Sequence, residues 1–257
     1  MKTKNIVKIL VFSVLCLLGV SMLRAQDALL RVYSAEICDE SSAPVCFSST
    51  YACVRFRNDF GTKEMMFADA TGVLKFRKNV TLLSVNHYGY AQYGDFRFSV
   101  GYGRNFGDRF AMTARIFYLM AHARGYPPRH SLCADFSTAC KVSDKWVIDA
   151  SVYNPFILRY GIVGQEVIPM RFSIGCAYVP ARKLLVSARM SKTLPGAWEV
   201  GCRVVTQPLP PLLLAADCSN SHLGFYVGWL CGRFLFSAQA AWYYRVSVSP
   251  QLGIGYF

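Results

Sequence analysis

The property that most narrows what this chain can fold into is a period of two in its apolar side chains. From Phe234 onward one face carries Phe234, Phe236, Ala238, Ala240, Trp242 and Tyr244, and the other carries Leu235, Ser237, Gln239, Ala241, Tyr243 and Arg245. Successive strand residues point to opposite faces, so this is a strand with one apolar and one mixed face. Gly232-Arg233 separates it from the run HLGFYVGWLC (His222–Cys231), where a two-residue hairpin turn belongs. The alternation recurs upstream at Phe96, Phe98, Val100 and Tyr102, at Trp146, Ile148, Ala150 and Val152, and at Phe172, Ile174, Cys176 and Tyr178. Strands of about ten residues, roughly 12–14 of them, with tight turns on one side and longer polar connections on the other, predict an all-β fold, a transmembrane antiparallel β-barrel.

Composition agrees with that shape. The chain is 53% hydrophobic and only 17% charged, yet beyond residue 25 it holds no second long apolar stretch. The apolar content is spread over short segments, as in a soluble sandwich or a barrel whose lipid face is apolar at alternate positions. The start of the chain is different. Lys2, Lys4 and Lys8 precede an apolar run from Ile9 to Leu23, which ends at Arg24-Ala25-Gln26. The run is shorter than the ~20 residues a spanning helix needs, so residues 1–25 are predicted to be a signal peptide cleaved after Ala25. Cys16 lacks the small residue that precedes a lipoprotein cysteine. The expected destination is the outer membrane of a Gram-negative bacterium, with its lipid as a partner. The formal charge is +13, of which four basic residues and no acid lie in the leader. The remaining cations are scattered singly through apolar strands, which argues against nucleic acid.

Residues 26–80 read as an irregular segment or as the first hairpins, with short strands at Tyr51–Arg57 and Lys63–Ala68; they form either the barrel's opening or a segment tucked into its mouth. Residues 81–257 read as the barrel itself, and 26–257 as one domain. Tyr93-Gly94-Asp95 and Asn105-Phe106-Gly107-Asp108 are turn signals. Trp146, Tyr153, Tyr178, Trp198, Trp229, Trp242 and Tyr256 suit interfacial girdles. The terminus breaks the pattern: a lipid-facing Phe257 would take Gly253 and Gly255 with it, so either the last strand is bulged or Phe257 lies past its end.

Nine cysteines follow the leader, an odd number, without CxxC or Cys/His ligand spacing. Cys38–Cys46 and Cys46–Cys53 are alternative disulfides. His87, His122, His130 and His222 are dispersed and carry no HExxH pattern. Ser131, His130 and Asp135 can be forced into a rim-site hydrolase, but no spacing asks for it. The expectation is a non-enzymatic protein with no cofactor and no metal.

Polar residues that alternate with the bulky apolar ones must face away from lipid, because a charge at the bilayer midplane costs about 2–4 kcal/mol. That places Arg97, Arg115, Asp149, Arg171, Arg189, Glu199, Arg203, Gln239 and Arg245 in the lumen. They form either an arginine-biased passive pore favouring anions or a ladder of satisfied Arg–carboxylate and Arg–amide contacts in a closed barrel.

Four stretches carry a resemblance. Gly101-Tyr102-Gly103-Arg104-Asn105-Phe106-Gly107-Asp108-Arg109-Phe110, Val152-Tyr153-Asn154-Pro155, Ile168–Gly175 and Phe225–Phe257, in that order, resemble the FadL-like outer-membrane barrels of the PorV/PorQ branch in Bacteroidetes. The likeness spans about two-thirds of the chain. It implies a roughly fourteen-stranded barrel that either carries hydrophobic molecules or binds a secreted or periplasmic protein in type IX secretion. Residues 27–80 depart from the family's usual alanine/glycine-rich opening.

Overall fold

In a computed structural model describing residues 29, 38, 41–62, 64–90, 92–159, 167–181, 183–244 and 247–257, fourteen antiparallel strands pair in chain order, and the first closes on the last. The strands are β1 (Tyr51–Asn58), β2 (Met66–Phe76), β3 (Asn79–Tyr90), β4 (Tyr93–Phe106), β5 (Phe110–Ala123), β6 (Arg129–Ser143) and β7 (Trp146–Tyr153). They continue as β8 (Met170–Ala181), β9 (Leu184–Leu194), β10 (Trp198–Leu209), β11 (Leu212–Ser219), β12 (His222–Cys231), β13 (Phe234–Tyr243) and β14 (Val248–Tyr256). Closure leaves no unpaired edge, the condition for crossing a bilayer with strands. The fold is that of an outer-membrane barrel. The expected signal peptide lies outside the described residues.

The barrel begins thirty residues before the boundary drawn at 81, because β1 and β2 complete the sheet. Their alternation is masked in the sequence by inward charges, Arg55, Arg57, Asp69 and Lys75, set among apolar outward residues. The second alternative for the opening also has a counterpart. Leu29, Cys38 and a 3₁₀ turn at Ala43–Phe47 sit inside the wall, and the turn packs on β3 to β7. Short turns at Arg77-Lys78, Asp144-Lys145, Pro210-Pro211 and Gly232-Arg233 mark the end where this plug lies, which by barrel convention is periplasmic.

Two apolar clusters fill that end. Leu29 packs against Val179, Leu185, Val205, Leu213, Tyr226 and Leu235, while Cys38, Val45 and Cys46 pack against Tyr51, Val73, Val80, Leu82 and Ala111. Ser42 ties the plug to the wall: its hydroxyl lies 2.9 Å from Ser137 Oγ and hydrogen-bonds Thr113 Oγ1. Lys75 Nζ donates to the carbonyls of Cys46 and Ser48 at 2.9 and 2.8 Å, and Asn105 Nδ2 donates to Cys46 O at 3.0 Å. Neither alternative disulfide is formed.

Two expectations need correcting. Tyr93-Gly94-Asp95 does not turn but lies within β4, and Gly94 pairs with Gly89. The missing side chain makes room for two rings, since a Cβ there would lie 3.2 Å from His87 Nε2 and 3.3 Å from His122 Nδ1. Tyr153 leaves the girdle and faces inward, edge-on to Phe117 at 5.3 Å. Of the two readings of the terminus the second holds: the last strand keeps an unbroken register and ends at Tyr256, with Phe257 past its end. Leu252, Ile254 and Tyr256 face out, Gly253 and Gly255 face in, and Phe257 follows them inward against Tyr51.

Candidate functional site

The middle of the lumen is a girdle of ion pairs, each bedded on a glycine of the neighbouring strand. Antiparallel register places Gly253, Arg55 and Asp69 side by side on β14, β1 and β2, and Gly101, Arg115 and Asp135 on β4, β5 and β6. Asp149, Gly175 and Arg189 follow on β7, β8 and β9, and Arg203, Asp217 and Gly224 on β10, β11 and β12. Arg55 binds Asp69 through Nε and Nη2 at 2.6 and 2.9 Å. Arg115 binds Asp135 the same way at 3.2 and 2.6 Å. Arg189 reaches across Gly175 to both oxygens of Asp149 at 3.0 Å.

The glycines supply the space. A Cβ on Gly101 would lie 2.5 Å from Arg115 Cγ, and one on Gly175 would lie 2.6 Å from Asp149 Oδ2. The arginine side chains therefore lie flat along the wall, where their planar forks meet carboxylates two-fold. Serine pairs complete the layer, Ser84–Ser99 at 2.6 Å and Ser151–Ser173 at 2.7 Å.

Toward the long-loop end the lumen opens into a cavity of about 390 Å³. Its apolar and aromatic lining, Phe67, Phe117, Leu119, Tyr153 and Ile168, is interleaved with Arg57, Arg97, Arg171, Asp95 and Asn86: register sets Arg57 beside Phe67, Arg97 beside Leu119 and Arg171 beside Tyr153. Arg57 is held by Asp59 at 2.7 Å, and Arg171 lies 5.9 Å above the Tyr153 ring. The floor is fixed by the connection after β7. Asn154 is fully buried, accepts Leu158 N–H at 3.0 Å and donates to Ile168 O at 2.7 Å, which tucks Ile168 against Phe117 and Leu119.

A second recess, about 200 Å³ on the β9–β13 side, is lined by Arg189, Glu199, Arg203, Asp217, Ser219, His222 and Gln239 among others. The nine residues assigned to the lumen are thus divided. Arg115, Asp149 and Arg189 belong to the girdle, Arg97 and Arg171 to the larger cavity, and Glu199, Arg203 and Gln239 to the smaller. Arg245 lies outside the described residues. Sequence reasoning missed Arg55, Arg57 and the carboxylates Asp69, Asp135 and Asp217. Each shares inward parity with its partner, which was the available signal.

Ser131, His130 and Asp135 are not assembled. Ser131 Oγ donates to Arg159 O at 2.7 Å, His130 pairs with Tyr118, and Asp135 is committed to Arg115. No group of three or more metal-ligating side chains occurs among the described residues.

No protein-family model and no curated protein matches the sequence. Among solved structures, the chain superposes on the Pseudomonas putida toluene transporter TodX with a TM-score of 0.63, at 8% identity over 84% of this chain and 90% of that one. A Pseudomonas aeruginosa FadL homologue gives 0.61 at 7% identity over 85% and 92%, and the CymD monoaromatic hydrocarbon channel gives 0.57 at 6% over 83% and 89%. At such identities the likeness is one of fold: this is a barrel built like the FadL-like outer-membrane channels.

Proposed function

We propose that the protein is a passive outer-membrane barrel that takes a small hydrophobic or amphipathic molecule into its lumen from the long-loop side. The carrying observation is the 390 Å³ cavity, in which aromatic and aliphatic side chains alternate with guanidinium, carboxylate and amide groups. That composition binds an apolar body and orients a polar end. The structural neighbours named as a toluene transporter and a monoaromatic hydrocarbon channel support the direction of this reading.

The geometry supports an open anion pore less well. In the girdle Arg55, Arg115 and Arg189 are ion-paired with Asp69, Asp135 and Asp149, so those charges cancel, and the plug with its two apolar clusters occupies the periplasmic end. A role in type IX secretion, with a PorV/PorQ-like protein partner, rests on the sequence motifs alone. The test is purification in mild detergent, with mass spectrometry of what is retained and conductance in planar bilayers. A retained small apolar or amphipathic molecule with little conductance is expected. Steady ion conductance with nothing retained would refute the reading, and a stoichiometric secreted protein would replace it.

A further inference from the structure

Across the lumen from the larger cavity, the β11–β12 hairpin assembles three side chains that no transport role uses. Its two-residue turn, Asn220-Ser221, sets Ser219 and His222 beside each other at the inner rim, and Asp217 lies diagonally below. Ser219 Oγ is 2.9 Å from His222 Nδ1, and His222 Nε2 is 3.0 Å from Asp217 Oδ2. All three line the 200 Å³ recess, and the histidine and aspartate side chains are only 24% and 12% exposed. Gly224 is what lets Asp217 fold under the ring, because a Cβ there would lie 2.3 Å from Oδ2. The Tyr243 ring, 5.2 Å away, backs the imidazole.

We infer that Ser219, His222 and Asp217 form a nucleophile–base–carboxylate relay that hydrolyses small, water-borne carboxylic esters at the lumen rim. The relay needs one ring nitrogen to accept the hydroxyl proton and the other to donate to the carboxylate, which is the arrangement Nδ1 and Nε2 present. Ser219 Oγ already accepts the backbone N–H groups of Ser221 and His222 at 3.1 and 3.0 Å. Those donors stabilise the alkoxide, and loss of the proton frees the third lone pair for attack.

In the first step Ser219 Oγ bonds to the ester carbonyl carbon and its proton passes to Nδ1. The carbon–alkoxy bond then breaks, and the leaving alkoxide takes that proton. Water next gives a proton to Nδ1 while its hydroxide adds to the acyl-serine, and Ser219 leaves and recovers the proton. Ester and water become acid and alcohol. Gln239, which lines the same recess, carries the amide donor for the oxyanion. Size and placement select the substrate. The recess admits only a short ester, and it opens to the aqueous lumen rather than to the bilayer, so membrane phospholipid does not reach it. Asp217 is a positioning residue.

The test uses the folded full-length barrel in detergent, treated with a fluorophosphonate probe and mapped by mass spectrometry. A single adduct on Ser219 of the wild-type protein is expected. His222→Ala should slow labelling by about 10²–10⁴-fold, the range of a lost general base. Asp217→Asn should slow it at least tenfold, and Asp217→Glu should restore part of the rate, which a merely structural role would not do. Ser131→Ala should label like wild type. Absence of an adduct on folded wild-type protein, or an adduct at Ser221 or elsewhere, overturns the assignment. Because the wild type is mapped directly, misfolding of a variant does not blur the outcome. The inference stands independently of whether the larger cavity carries a ligand.

Discussion

Among the described residues Arg115 is the largest side chain with essentially no exposure, and Asp135 beside it is equally dry. A pair so placed adds little net stability relative to apolar residues of the same volume, yet removing one partner strands the other's charge. Arg115→Met is therefore expected to destabilise the barrel by about 3–5 kcal/mol, and the double change Arg115→Met with Asp135→Leu to recover most of that loss. Urea unfolding of the three proteins in detergent measures both numbers. A double variant as unstable as the single one would show that the girdle's worth is not electrostatic. Cys46 poses a different question at the same scale. Burial pushes its thiol from the ordinary value of 9.0 up to about 12. Between those limits the unfolded chain loses a proton that the docked plug keeps, so docking is fully stable below about pH 9 and weakens as pH rises toward about 12. Alkylation of Cys46 near pH 8 should be negligible in the folded protein and complete after unfolding.

At the scale of elements, the plug and the hairpins obey different rules, and they differed in how far the sequence exposed them. The hairpins were legible because a strand facing lipid must alternate, and β4, β8, β12 and β13 do so without interruption. β1 and β2 were only half legible, because inward Arg55, Arg57 and Asp69 interrupt the apolar rhythm that marks a strand. The ion-pair partners were not legible, since register depends on turn lengths that shift by single residues; placing the turn at Tyr93-Gly94-Asp95 instead of at 91–92 already moves every pairing of β4. The contact between Ser219 and His222 was hidden in the same way, because only the two-residue turn at Asn220-Ser221 sets them side by side. The plug has no periodicity to read, as it is held by single polar contacts. Lys75→Met combined with Asn105→Leu removes three hydrogen bonds to the plug backbone. At about 1 kcal/mol each, that loss should make Cys46 alkylate at least tenfold faster at pH 8 while the barrel stays closed. Unchanged Cys46 reactivity would mean that the apolar clusters alone seat the plug.

For the whole molecule, the two faces of one sheet answer to two solvents. Ile116, in the middle of β5, is 63% exposed and points to lipid, while Arg115 next to it is 2% exposed and points inward. A single step along the strand thus changes the environment from one that rejects charge to one that requires it. This is why charged residues could be assigned inward from sequence while their partners could not. The same asymmetry sets an expectation for substitutions. Ile116→Arg should cost about 2–4 kcal/mol in a bilayer, the penalty of a cation at the midplane. Thr193→Ser, a half-buried polar position on the lumen face beside the larger cavity, should leave the unfolding free energy within about 0.5 kcal/mol, since it keeps the hydroxyl and adds no charge opposite Arg171. Reversible urea unfolding from vesicles separates the two. Equal costs would mean that Ile116 faces another protein surface, not lipid, and would give the barrel a partner along β5.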